Sequence, residues 1–363
     1  MNAYNFSGSD GGGDMPSLET ANIGYTDGVS PVPPRIPTVK PTEKIKGFTY
    51  GYMANRGEIR SPRGIKSQDL LYELGNNWVC LAVANYQKAF YSTEIKWDFT
   101  RTPTDRDIAF FVEKAHSKAV KVCLKPMLNS DDNMWRAHIG FPDLNMDEMD
   151  GYWQKWFKSY TDYMLHYAEL AEELGCEMLC IGCEMIATEH KTDYWLDLIG
   201  KIRNVYHGKL VYNTNHSRED AVSWFDVLDF LGTSAYYTVG ECGSDKATMT
   251  AAWENVRKRM NGISDKVRKN YIFMEIGCRS AEGCSAMPWD FSRTDLPWNE
   301  VEQANFYESC LDVFMGEERF AGVFWWDWST FIYNTAEEAK ADTGFNIHLK
   351  KAEKVVREKY AET

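Results

Sequence analysis

From Lys46 onward, short apolar runs alternate with longer stretches whose apolar residues recur at three and four. The first kind reads as strands buried on both faces, the second as helices packed by one face. Strands are predicted at 47–50, 78–83, 119–124, 177–183, 210–213, 228–236, 271–275 and 322–326. Ser67 is placed to cap a first helix carrying Leu70, Leu71 and Leu74, which ends at Gly75. Thr104-Asp105-Arg106-Asp107 opens a second, with Ile108, Phe111, Val112 and Ala115 on one face. Pro126 is expected to stop the third strand, and a long irregular stretch rich in Asn and Asp and containing Trp135 follows it. Residues 152–174 form an aromatic amphipathic helix whose rings are read as a packing face. Further helices are predicted at 192–206 and 248–260, from 296 onward, and at 349–360.

Eight strands separated by helices or long connections specify an α/β chain folded as a single (β/α)8 TIM barrel over 46–363. A doubly wound open sheet would want a glycine-rich phosphate loop after its first strand. The segment from Gly47 to Gly51 has none. Residues 1–45 differ in texture, with Gly-Ser-Asp-Gly-Gly-Gly near the start and Pro31, Pro33, Pro34, Pro37 and Pro41 near the end. They read as a disordered tail or linker.

Two of the strands end in a carboxylate. Met178-Leu179-Cys180-Ile181-Gly182-Cys183 leads to Glu184, and Tyr271-Ile272-Phe273-Met274 leads to Glu275. A charge at the end of an apolar strand is costly unless a partner or a reaction uses it. In a barrel both lie at the C-terminal ends of strands, the fourth and the seventh, where barrel enzymes place their chemistry.

Composition narrows the ligand. Aromatic residues make up 14% of the chain, which suits stacking on flat, weakly polar rings. A formal charge of −13 opposes nucleic acid and anionic membranes, and no apolar run reaches the length of about 18 residues that a span requires. The nine Cys are an odd set, several of them inside strands, which favours a reducing compartment. Strict alternation would put Cys180 and Cys183 on opposite faces, so Cys176, Cys180 and Cys183 are not read as a metal cluster. The seven His are scattered, and no metal or cofactor is expected.

Paired carboxylates are the minimal equipment for breaking a glycosidic bond. One protonates the leaving oxygen while the other attacks the anomeric carbon or activates water. Glu184 is assigned as acid/base and Glu275 as nucleophile. The alternative is that each Glu merely pairs with a buried Arg or Lys.

The ordered series Thr104–Ile108 with Ala115-His116, Val122-Cys123-Leu124-Lys125-Pro126, Trp156-Phe157 with Tyr160, Tyr167-Ala168, Ile181-Gly182-Cys183-Glu184-Met185, Met274-Glu275-Ile276-Gly277 and Phe324-Trp325-Trp326-Asp327-Trp328 resembles glycoside hydrolase family 113. The resemblance covers about 46–355. It implies a retaining endo-β-1,4-mannanase acting by double displacement, with acid/base and nucleophile on strands four and seven. Two positions depart from it. Cys183 stands where most members of the wider clan carry an Asn that contacts the sugar 2-hydroxyl, and Met127 follows Lys-Pro where a polar residue is expected.

Secondary candidates follow from position. Tyr236 ends strand six, beside strand seven, where its hydroxyl can tune the nucleophile. Trp326 is chosen over Trp325 as the sugar platform, since alternation lets only one face the mouth. Trp289 sits in the loop after strand seven. Lys125 ends strand three, where it donates to a sugar hydroxyl or pairs with a carboxylate. Asn299-Glu300, the one Asn-Glu pair in the chain and a rival for the acid, is read instead as the start of a helix. Three readings compete with mannan hydrolysis: a β-glucanase, a galactanase, and a non-catalytic sugar-binding barrel. A lysine buried against Glu275 with no open cleft would favour the last. Cytoplasmic action is expected, with export after loss of a signal as the alternative.

Overall fold

The computed structural model describes residues 33–36, 43–143 and 147–362. Eight parallel strands close on themselves: β1 (Ile45–Tyr50), β2 (Trp78–Gln87), β3 (Lys121–Ser130), β4 (Met178–Cys183), β5 (Lys209–Asn215), β6 (Phe230–Ser234), β7 (Tyr271–Ile276) and β8 (Phe320–Trp328). Pairing of β1 with both β2 and β8 completes the barrel. Helices cover it in chain order: α1 (Pro62–Tyr72), α2 (Asp105–Ser117), α3 (Asp147–Glu173), α4 (Thr192–Val205), α5 (Lys246–Val267), α6 (Glu300–Phe314), α7 (Ala336–Ala341) and α8 (Lys351–Glu362). Between β5 and β6 a single turn, Phe225–Val227, takes the place of a helix.

Local chemistry explains the boundaries. Thr104 caps α2 and is answered by Asp107 in a reciprocal capping box, as the sequence indicates. Asn299 caps α6 by accepting from the Glu302 amide, and Glu300 lies in the first turn against Lys351. The start of α1 is a correction: Ser61 caps it and Pro62 opens it, since proline loses nothing where the N–H has no helical partner. Ser67 instead lies buried within α1, where its hydroxyl donates to the Ser329 carbonyl and accepts from Trp328 Nε1.

Pro126 does not stop β3 either. The ladder from β3 to β4 ends at Leu124, while pairing with β2 continues to Ser130. The proline therefore sits where one side of the strand has already stopped pairing.

Of the segment assigned as a tail, 33–36 rests on the barrel. The Ile36 N–H donates to the Asp226 carbonyl at 3.1 Å, Lys269 Nζ donates back to the Ile36 carbonyl, and Arg35 pairs with Asp226 at 2.8 Å. Residues 1–32 and 37–42 lie outside the described residues.

The barrel interior is filled by strand residues alone, among them Trp78, Cys80, Cys123, Cys180, Val211, Met274 and Phe324. Cysteine serves here as a small hydrophobe. Two bulges break the alternation assumed from sequence. Cys180 pairs with Val211 but Cys183 pairs with Asn213, three steps on β4 against two on β5. Both cysteines consequently face inward, against the expectation of opposite faces. On β7, Phe273 pairs with Thr233 and Glu275 with the next residue, Ser234. Phe273 points out at Phe314 and Trp253, while Glu275 turns into the mouth. An added residue re-aims a side chain, which is why bulges recur beside active sites.

On β8, Trp325 points outward and stacks on Tyr307 of α6 with centroids 4.0 Å apart. Trp326 faces the mouth beside Tyr52. Trp325→Ala should therefore cost about 3–5 kcal/mol of stability in a denaturant titration, the usual loss for a truncated core Trp. A cost below 1 kcal/mol would contradict this packing.

Candidate active site

Glu184 is the first residue beyond β4 and adopts a left-handed backbone, φ +52°. Such a conformation is strained for a residue with a Cβ and needs support from its surroundings. The support is a 2.7 Å hydrogen bond from its N–H to the Asn213 carbonyl of β5. Its carboxylate is held from two sides. Asn215 Nδ2 donates to Oε1 at 2.8 Å, and Trp135 Nε1 and Arg136 Nη1 each donate to Oε2 at 3.3 Å. Arg136 is itself fixed by Asn129 at 2.7 Å and by the Tyr52 hydroxyl at 3.1 Å.

Glu275 is buried deeper. Lys125 Nζ donates to its Oε1 at 2.5 Å, the Cys183 thiol at 3.2 Å and Asn213 Nδ2 at 3.3 Å, while the Tyr236 hydroxyl reaches Oε2 at 3.3 Å. Burial by itself would raise the pKa of Glu275. The charges of Lys125 and then Arg136, with the hydrogen bonds from Lys125 and Cys183, outweigh it and hold the carboxyl below its ordinary value. Burial and the charge of Glu275 push the Cys183 thiol and the Tyr236 phenol well up, so both stay protonated and donate. The result is an ionised carboxylate in a dry setting, ringed by donors.

Asn213 touches both halves of the site, since its carbonyl receives the Glu184 amide and its side chain reaches Glu275. The departure at 183 thereby acquires a local role. Cys183 accepts from Asn213 Nδ2 at 3.1 Å and donates to Glu275, so it faces the Glu275 side of the site.

The structure brings Glu184, Glu275, Tyr236, Trp326 and Lys125 to one mouth. Lys125 is fully buried and pairs with Glu275, the second of its two sequence alternatives, and its Nζ lies 5.9 Å from the Trp326 ring centre. Trp289 stands further out, half-exposed, and stacks on His216 at 5.6 Å. Burial lowers the pKa of His216, with the charge of Glu184 opposing.

Sequence reasoning missed Tyr52, Trp135, Arg136, Asn213 and Asn215. Asn213 and Asn215 had a signal, two amides at the end of a predicted strand. Trp135 lay in the long irregular stretch after the third strand, but nothing in the sequence said that it and Arg136 fold back onto Glu184. Among the described residues, no group of three or more His, Cys, Asp or Glu is placed to hold a metal ion, and no helix is long and apolar enough to cross a membrane.

A family model described as Glycoside Hydrolase Family 113 matches residues 48–350. Two solved structures of a β-1,4-mannanase of that family, one described as a complex structure, are each 31% identical over 89% of this chain and 100% of their own, with a TM-score of 0.81. The β-mannanase AaManA from Alicyclobacillus acidocaldarius, in complex with ManMIm, is 34% identical over 88% of this chain and 97% of its own, with a TM-score of 0.80. The β-glucuronidase of Faecalibacterium prausnitzii shares 12% identity over 88% of this chain and 49% of its own, at a TM-score of 0.57, a likeness of fold alone. No curated protein sequence matches the chain.

Proposed function

The chain belongs to glycoside hydrolase family 113, and on that premise we propose that it hydrolyses β-1,4-mannosidic bonds of mannan, glucomannan or manno-oligosaccharides by double displacement. One observation carries the proposal. Two glutamates at the ends of β4 and β7 reach one mouth, and one of them is held ionised in a buried setting.

In the first step a Glu275 oxygen attacks the anomeric carbon. The glycosidic C–O bond breaks, and its oxygen leaves with the proton from Glu184. Lys125 keeps the nucleophile charged, and the Tyr236 hydroxyl orients Oε2. Glu184 is then a carboxylate, the state that Asn215, Trp135 and Arg136 are arranged to receive. In the second step Glu184 takes a proton from water, whose oxygen displaces Glu275 from the sugar. Trp326 and Trp289 offer ring faces for the sugars on either side.

The lysine against Glu275 is one half of the feature named above for a non-catalytic barrel, the other half being the lack of an open cleft. A retaining nucleophile must nonetheless be ionised, which a neighbouring cation supports. Membership among β-mannanases and the second carboxylate opening on the same mouth favour the enzyme.

The test is hydrolysis of mannohexaose and cellohexaose followed by proton NMR from the first minutes. Mannohexaose should be cut, and the β-anomer should appear before mutarotation supplies the α. First appearance of the α-anomer would mean inversion, and cleavage of cellohexaose alone would make the chain a β-glucanase. The described cysteines are unbridged, eight of the nine being buried, which supports action in the cytoplasm.

A further inference from the structure

We propose that the outer flank of the barrel, between the loop 88–104 and α3, carries a second sugar-binding platform that holds a neighbouring stretch of the β-mannan chain away from the catalytic mouth. The inference rests on the mannanase reading for its ligand and on the following geometry for its place. The loop between β2 and α2 displays two strongly exposed rings, Tyr91 at 64% and Phe99 at 71%, and the half-exposed Trp97 at 43%. Single exposed apolar residues are ordinary, but large rings gathered on one loop mark a binding surface. A cavity of about 290 Å³ opens between Trp97, Phe99, Pro103 and Tyr167, with Asp105 and His166 on its rim.

The Trp97 ring is locked from behind. It meets His166 at 4.7 Å, Tyr167 at 5.7 Å and Tyr163 at 6.0 Å, all from α3. A ring already fixed loses little freedom when a sugar stacks on it. The loop is fixed as well. Ile95–Lys96 pair with the end of β2, the Ile95 N–H donates to Ser159 Oγ at 2.9 Å, and Arg101 bridges Asp98 and Asp131. These bonds hold two apolar rings against water, a placement that packing alone does not explain.

The cavity lies outside the barrel wall. Tyr163 and Tyr167 close over β2 from the helix side, where their hydroxyls receive Asn85 Nδ2 at 3.4 and 2.8 Å. Its chemistry fits a neutral polyol. The rings take the apolar face of a pyranose, and Asp105, whose Oδ1 meets His166 Nε2 at 2.9 Å, leaves Oδ2 for hydroxyl donors. The carboxylates Asp98 and Asp105 and the formal charge of −13 oppose a polyanion.

The experiment compares the parent with Trp97→Ala/Phe99→Ala and with Phe99→Ala alone, whose ring projects into solvent. Binding is read by electrophoresis through gels containing soluble glucomannan, in a Glu184→Gln background so that the polymer survives. Turnover is read on mannohexaose and on insoluble linear mannan. The double variant should bind glucomannan roughly tenfold more weakly, the loss of a stacking platform. Its activity should fall several-fold on insoluble mannan and stay unchanged on mannohexaose, with Phe99→Ala moving the same way by less. Undiminished retardation of the folded variants would overturn the proposal. A parallel fall on mannohexaose would do so too, by making these rings part of the catalytic cleft. A parent dimer in solution that the double variant dissolves would assign the face to contact between copies instead. A parent that binds glucomannan but cleaves no mannohexaose would leave the platform standing and sink the mannanase reading, so the two failures are separable.

Discussion

Glu275→Gln lowers kcat on mannohexaose by on the order of 10⁴-fold or more, because glutamine at this position forms no glycosyl ester. Glu184→Gln falls by about 10²–10⁴-fold, the range for loss of a general acid, and by less on substrates whose leaving group needs no proton. The two roles separate further with azide. In Glu184→Ala, azide displaces Glu275 from the intermediate and yields the β-mannosyl azide. In Glu275→Ala, azide attacks from the vacated face and yields the α-azide. The same azide anomer from both variants, or near-normal turnover in either, would refute the assignment. Far-UV circular dichroism should stay near that of the parent, since both carboxamides keep the shape of the side chains they replace, while Glu275→Gln lowers the thermal midpoint because Lys125 is left buried without its counter-charge.

The second large effect is expected at Lys125. Lys125→Met removes the cation 2.5 Å from a buried carboxylate and should cost about 3–5 kcal/mol at neutral pH. The sign of its pH dependence follows from the depressed pKa of Glu275. In the parent, the ionised carboxylate contributes stability that is fully present above the unfolded value, about 4.3, and is lost as pH falls through the lower folded value. Without Lys125 the largest of the lowering causes is gone, and burial, opposed only by Arg136 and Cys183, moves the pKa of Glu275 up. The gap between parent and variant therefore narrows as pH falls toward and below the unfolded value, about 4.3. The acid limb of kcat/KM should also move to higher pH in the variant, because the nucleophile reacts only when ionised. An acid limb that stays in place would show that Lys125 does not set the charge of Glu275.

Much of the barrel was legible because a strand buried on both faces reads as a continuous apolar run. Eight such runs, separated by helical stretches or long connections, leave few folds open. The errors have local causes. Ser67 looked like a cap because Ser precedes Leu70 and Leu71 at cap spacing, yet Pro62 starts the helix earlier and Ser67 serves Trp328. Pro126 looked like a stop because the partner that would need its N–H cannot be seen in one strand. The candidate site divides in the same way. Glu184, Glu275 and Tyr236 stand at strand ends and were found. Arg136 and Trp135 come from a connection whose path is set by contacts with Asn129 and Tyr52.

The sequence by itself determined that this is a (β/α)8 barrel with carboxylates at the ends of the fourth and seventh strands, since period and position are properties of single segments. Only the tertiary structure decided which way those carboxylates point. Strict alternation would have given Glu275 the same side as Phe273 and set Cys183 opposite Cys180. A bulge in each strand reverses both. A bulge exists only relative to a neighbouring strand, because its definition is two residues facing one across a ladder. The charge of Glu275 has the same origin: Lys125 lies far from it along the chain and meets it only because the barrel closes.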